Sequence, residues 1–296
     1  MTFFGGGGGG YEQRQRSGCF PTRVIIGIVI ALVGIIAYYS RTQVNPVTGE
    51  KQRIAMTVDQ EKALGLQAAP EMAQQMGGEL DPRSDPDARR VAEIGQKLVT
   101  GSDASRSPYV DNFNFHLLAD PRTVNAFALP GGQVFITKAL YDRLENEAQL
   151  AGVLGHEIGH VIGRHSAEHM ATGQLGQILS AAAGVAASGD RNNRGYMAAA
   201  AAQMANQMLQ LKYSRGDELE ADSFGLKYMT QVGYDPSQMR RVMQILKEAS
   251  GGGGRGPDIL QTHPDPDARI QAIEQYLQKN YPQGVPSNLT AGRPLH

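Results

Sequence analysis

Two histidines, four residues apart, constrain this chain more than anything else in it. Residues 156–160 read HEIGH, inside the longer run HEIGHVIGRH (156–165). A helix advances about 100° per residue, so His156 and His160 share a face and can aim two imidazoles at one ion. Glu157 sits beside them, close enough to reach a water on that ion without ligating it. Leu150, Leu154 and Ile158 fall on the opposite face, so the helix can bury one side and offer the other. The pattern suggests zinc and a hydrolytic water, and zinc wants a third protein ligand.

His165 is the tempting third ligand. The H-E-x-x-H-x-x-G-x-x-H spacing needs a histidine at position 166, which is Ser166. In a continuing helix His165 points about 140° from His160. His165 and His169 are therefore expected to be exposed polar residues. The better candidate lies in SRGDELEAD (214–222), where Glu218 and Asp222 stand four apart on one helix face. Glu218 can give a carboxylate to the ion. Asp222 can accept from the far nitrogen of a zinc-bound histidine, fixing its tautomer. Glu220 is the rival ligand but points away from Asp222. A solvated acidic face is the plain alternative for this stretch taken alone. Two histidines, one glutamate and an open fourth position make a catalytic site rather than a structural one.

The chain has 296 residues, enough for one sizeable domain with appendages or two small domains. Its 28 basic and 29 acidic residues leave a net charge of −1, so no global field points to nucleic acid. The single cysteine, Cys19, excludes an intrachain disulfide and a cysteine-based zinc site. Residues 24–39, VIIGIVIALVGIIAYY, are uncharged and bounded by Arg23 and Arg41. No A-x-A-like cleavage site follows, so 23–40 reads as an uncleaved membrane anchor with Tyr38 and Tyr39 at an interface. Flanking Arg and Lys residues balance and give no orientation. The rest divides into a Gly-rich disordered tail (1–22), a linker (41–57), one domain (58–280) and an irregular tail (281–296).

Within the domain the hydrophobic period alternates between types. Thr57 with Gln60 resembles a capping box opening a helix to about Met76. Asp85-Pro86 opens a second helix, with Val91, Ile94 and Leu98 on one face, closed by Gly101. Strand-like runs follow at 113–120, 124–129 and 133–137, the last two joined by Pro130-Gly131-Gly132. Helical patterns then occupy 138–144, 146–169, 171–187, 195–212, 214–231, 236–249 and 265–279. The sum is a mainly helical α+β domain with one small antiparallel sheet.

With HEIGH followed by ELEAD, the chain resembles the gluzincin metallopeptidases that include HtpX, the OMA-type proteases, the type I CAAX prenyl endopeptidase and the periplasmic BepA/LoiP-like proteases. NPVTGEKQ (45–52), NAFALPGGQVFITKAL (125–140) and THPDPDARI (262–270) agree with it. The resemblance covers roughly residues 58–280. It implies a zincin-like fold and a zinc-dependent endopeptidase with one Zn(2+) per chain and polypeptide substrates. It matches His156, His160 and Glu218 to the metal ligands, Glu157 to the general base and acid, and Asp222 to the residue supporting the first histidine. His263 and Arg269 match a pair near the reaction centre. Either could donate to the developing oxyanion, or His263 could fill the fourth metal position at rest. Asn125 and Ala126 resemble positions that bond a substrate backbone. Unlike multi-spanning members, this chain shows one membrane segment, so the resemblance implies a water-facing domain. In anchored bacterial relatives that domain faces the periplasm from the inner membrane, which suggests misfolded or unassembled envelope proteins as substrates. Oligomeric state is not legible. A binding module on the same fold, or a chance motif, are the rival readings.

Overall fold

An apolar helix, α1 (Thr22–Ser40), leads into the fold, and its Ile25, Ile28, Leu32 and Ile36 stand exposed. It is the one helix among the described residues long and apolar enough to cross a membrane. The structure is a computed structural model describing residues 22–187, 212–250 and 257–296. The Gly-rich tail through residue 21, residues 195–211 of an expected helix, and Gly251–Gly254 lie outside the described residues.

The stretch expected as a linker instead forms an antiparallel ribbon, β1 (Thr42–Val44) with β2 (Lys51–Arg53). Asn45 makes the turn between them by accepting from the N–H groups of Val47 and Thr48 at 2.9 and 3.2 Å. Strands of three residues carry too little alternation to be read from sequence. α2 (Val58–Gln75) opens with the expected Thr57–Gln60 capping box, and α3 (Pro86–Gly101) with Asp85 as cap and Pro86 in its first turn. Val91, Ile94 and Leu98 face the core as their spacing requires.

Three strands follow: β3 (Asn114–Leu118), β4 (Ala126–Leu129) and β5 (Gln133–Thr137). β4 and β5 form the expected antiparallel hairpin, turned at Gly131 and Gly132 with φ of 84° and 115°. β3 departs from the all-antiparallel expectation. It pairs in parallel with β5, in the order β3-β5-β4, because the chain crosses past β5 before the hairpin begins. Every residue of the central β5 is buried. Val134 and Ile136 join the main core, while Phe135 packs with Met72 and Leu129 under α2.

After the short α4 (Lys138–Tyr141) comes α5 (Glu147–Gly163), buried at every residue. It is gripped at both ends. In the C-terminal tail the carbonyls of Arg293 and Ala291 accept from the N–H groups of Glu147 and Ala148 at 3.0 and 2.9 Å. These satisfy two amides that a helix start leaves open. At the far end Asn45 Nδ2 donates to Ile162 O at 2.8 Å and Gln52 Nε2 donates to Gly163 O. α6 (His165–Ala187) then runs along α1, with Ile178 seated where Gly34 lacks a side chain and Thr172 Oγ1 3.3 Å from the Tyr38 hydroxyl. α7 (Arg215–Gln231), α8 (Gln238–Ser250), α9 (Ile259–Thr262) and α10 (Pro266–Asn280) complete the helices.

Candidate active site

The site is made by the close packing of α5 on α7, and that packing is written in small residues. A Cβ on Gly155 would lie 3.1 Å from Gly225 Cα, and one on Gly159 would lie 2.9 Å from Ala221 Cα. Both distances are shorter than ordinary van der Waals contact and both meet backbone, so a larger residue at either position would push the helices apart. His156 and His160 flank Gly159, and Glu218 and Asp222 flank Ala221, so the contact that joins the helices also brings their polar residues together.

His156 Nε2 and His160 Nε2 face each other at 3.0 Å. Glu218 Oε1 lies 3.5 Å from His160 Nε2, and Glu218 Oε2 lies 3.7 Å from His156 Nε2. His263, at the end of α9, points Nδ1 into the same space, 2.9 Å from Glu218 Oε1 and 3.2 Å from His156 Nε2. One ligand-type atom from each of His156, His160, Glu218 and His263 falls within 4.8 Å of all the others, and all four residues are buried. Both oxygens of the fully buried Glu157 lack a hydrogen-bond partner, as does His263 Nε2, which sits 3.8 Å from Glu157 Oε1. Buried polar atoms without partners are rare and call for an occupant. Glu157, Glu218 and Asp222 face a single guanidinium, Arg269, an imbalance that a divalent cation offsets. The nitrogen and carboxylate donor set suits zinc.

Burial outweighs the Glu218 contact and pushes the His160 ring well below its ordinary pKa, so it stays neutral with a lone pair to give. Burial also raises the Glu157 carboxyl, against the pull of His263 and His156. Glu218 is the opposite case. Burial raises it, but the facing His263 and Arg269 charges more than reverse that, and it remains a carboxylate.

Asp222 Oδ1 lies 2.8 Å from His156 Nδ1. Arg269, on α10, donates from Nε and Nη2 to Asp222 at 2.8 and 2.6 Å, and its Nη1 is 2.9 Å from Glu218 Oε2. Nε and Nη2 of Arg269 are thus engaged by Asp222, while Glu218 Oε2 accepts no hydrogen bond despite the close approach of Nη1. Asn125 and Ala126 lie at the start of the edge strand β4, which runs against α5. The Asn125 N–H donates to Thr137 Oγ1 at 3.1 Å and its carbonyl accepts from Thr137 N at 3.0 Å. Its main chain is therefore spent within the sheet, and its buried side-chain Oδ1 is the unpartnered atom. Alternation turns the main-chain groups of Ala126 toward the other edge.

Three features escaped the sequence reading. His165 is 2 % exposed, not a surface residue, because α5 stops at Gly163 and the chain turns at Arg164 with φ 59°. Glu220, the rival ligand, points to His165 at 3.0 Å instead of to the cluster. Tyr213 stacks on His160 at 4.0 Å and roofs the site. An apolar pocket lined by Val153, Met239, Val242, Met243 and Leu246 adjoins His156 and Glu157.

Residues 85–277 match the profile of peptidase family M48. The mitochondrial metalloendopeptidase OMA1 of Schizosaccharomyces pombe is 30% identical over 255 residues, which cover 86% of this chain and 71% of that protein. The beta-barrel assembly-enhancing protease of Yersinia pestis is 32% identical over 253 residues, 82% of this chain and 49% of the relative. That of Escherichia coli K12 is 31% identical over 209 residues, 67% of this chain and 40% of the relative. The chain thus spans half or less of the two bacterial relatives.

Proposed function

Since the chain belongs to peptidase family M48 and is a metalloendopeptidase, we propose that it is a membrane-anchored zinc endopeptidase that cleaves misfolded or unassembled envelope proteins. In this reading His156, His160 and Glu218 hold the ion, with His263 as a fourth donor at rest. The observation that carries it is the convergence of those four buried side chains beside a carboxylate, Glu157, with no partner for either oxygen. When bound, zinc lowers the pKa of its water towards about 7 and polarises the scissile carbonyl.

Glu157 takes the proton of the attacking water on a carboxylate oxygen and returns it to the leaving amine. Its raised pKa suits both halves of that transfer. Asp222 holds the proton on His156 Nδ1, which leaves Nε2 free, and Arg269 holds Asp222. The substrate chain lies along β4, bonding the main-chain groups of Ala126 and the Asn125 side-chain oxygen. Main-chain pairing of this kind selects extended, unfolded segments over compact ones. His263 and Tyr213 leave the cluster nearly closed to solvent, so both move aside for substrate.

In the proposed organisation residues 23–40 form the anchor and 58–280 the peptidase domain, with the ribbon of 41–57 docked between them. We place the anchor in a bacterial inner membrane with the domain facing the periplasm; α1 supports the anchoring, and the bacterial relatives named for beta-barrel assembly support an envelope setting. Casein digestion by the purified protein, set beside Glu157→Gln, tests the activity. Full zinc content with turnover reduced at least ~10²-fold is expected for the variant, and equal turnover would refute the role of Glu157. Thiol labelling of a cysteine placed in the 281–296 tail, with Cys19 replaced, tests the orientation.

A further inference from the structure

We propose that His165 and Glu220 are positioning residues that fix the tautomer and ring plane of His160, a role for the second histidine parallel to that of Asp222 for the first. The inference rests on the reading that His160 is a metal ligand. Its observation is the break between α5 and α6. The left-handed turn at Arg164 swings His165 back over the helix end, and its Nδ1 comes to 2.9 Å from His160 Nδ1, with the two rings 80° apart. On its other side His165 Nε2 meets Glu220 Oε2 at 3.0 Å.

The direction of these bonds follows from chemistry. An ionised carboxylate only accepts, so His165 Nε2 carries the proton and donates to Glu220. A neutral His165 then has a bare Nδ1, which accepts from His160 Nδ1–H. A neutral His160 with its proton on Nδ1 has a bare Nε2, the nitrogen that faces His156 and Glu218. The chain Glu220–His165–His160 thus ends in a lone pair aimed into the cluster, and the carboxylate at its far end makes that lone pair more basic. Both nitrogens of His165 are used, so it is not itself a ligand. Gly163 belongs to the device, because a Cβ there would overlap the His165 ring. Tyr213 stacks on one face of the His160 ring at 4.0 Å, while His165 meets that ring at its Nδ1 edge.

Zinc affinity of the full chain, measured by competition with a chromophoric chelator, tests the proposal alongside the visible spectrum of the cobalt(II)-loaded protein and the melting temperature of the metal-free protein. Loss of a partner to a ligating histidine weakens metal binding by about 10–100-fold, and this is expected for His165→Leu. His165→Gln, which restores an acceptor, is expected to recover much of the loss. Glu220 is partly exposed, so Glu220→Gln should fold normally and shift affinity in the same direction by a smaller factor, with a changed cobalt spectrum. Gly163→Ala keeps every partner but crowds the ring, and is expected to weaken zinc although alanine favours the helix. If these variants bind zinc like the wild type and lose only metal-free stability, His165 is a packing residue and the proposal fails alone. A cobalt spectrum showing one nitrogen ligand fewer in His165→Leu would make His165 a ligand and also overturn it. A wild-type chain that binds no zinc would sink the reading beneath it as well.

Discussion

Gly159→Ala adds one methyl group at the tightest point between α5 and α7, and its consequences are separable. The new Cβ would lie 2.9 Å from both the Cα and the carbonyl oxygen of Ala221, where ordinary contact begins at 3.4 Å. Those neighbours are backbone and cannot rotate away, so the helices must part by about 0.5 Å, the limit of what a preorganised site tolerates. Alanine gains about 1 kcal/mol of helix propensity over glycine, while overpacking a tight contact costs about 1–3 kcal/mol. The two nearly cancel, and the metal-free protein should lose no more than about 2 kcal/mol. The metal site has no such offset, since His156 and His160 ride on one helix and Glu218 on the other. Zinc affinity is therefore expected to fall about tenfold or more, measured by chelator competition beside urea unfolding of the metal-free form. Gly173→Ala and Gly176→Ala, in α6 with open space around them, serve as controls that gain propensity without touching zinc. Zinc affinity within twofold of wild type in Gly159→Ala would refute the claim that this contact sets the ligand spacing.

Glu61→Gln is expected to destabilise the protein by about 3–5 kcal/mol in urea titrations, because it strips the buried Arg164 of its charge partner. Asp217 accepts from His169 Nε2 at 2.7 Å and caps α7 through Ser214. Burial pushes its carboxyl up, but the His169 hydrogen bond, the Ser214 capping contacts and the nearby His165 together more than reverse that, to about 2. A depressed carboxyl adds stability above its unfolded value near 3.9 and loses it as pH falls through the folded value. Asp217→Asn should thus cost about 2 kcal/mol at neutral pH, with the gap to wild type closing between about pH 4 and pH 2; a gap independent of pH would contradict the assignment. Deleting residues 291–296 uncovers the first amides of α5, and the expected result is a lower melting temperature together with weaker zinc binding.

The convergence of HEIGH with ELEAD was legible because each is a local, helical pattern whose members share a face. The capping residues Thr57 and Asp85 were legible for the same reason, since a cap acts within three residues. What the sequence hid depends on distant partners. Arg164 is a non-glycine residue in the left-handed region, which costs about 1–2 kcal/mol locally. It is held there by Glu61 from α2, Gln43 from the ribbon and the Met56 carbonyl, none of them near it in sequence. Without that turn His165 does point away, as a continuous helix requires. The parallel pairing of β3 was hidden likewise, because alternation tells which face a strand buries but not which neighbour it chooses. The small residues Gly155, Gly159, Ala221 and Gly225 were on view four apart in each helix. Their meaning appears only when the two helices are laid together.

The pairing of α6 with α1 sets a reach. His165, in the first turn of α6, touches His160, and Thr172, seven residues on, touches Tyr38 near the end of α1. Seven helical residues measure about 10 Å. On the proposed membrane-anchored reading, with Tyr38 at the bilayer surface, His165 at the edge of the site lies within about 10 Å of the lipid along α6, the length of about three extended residues. A polypeptide leaving that surface needs only this much slack to be cut, whereas a tightly folded domain resting on it presents no such length of thread.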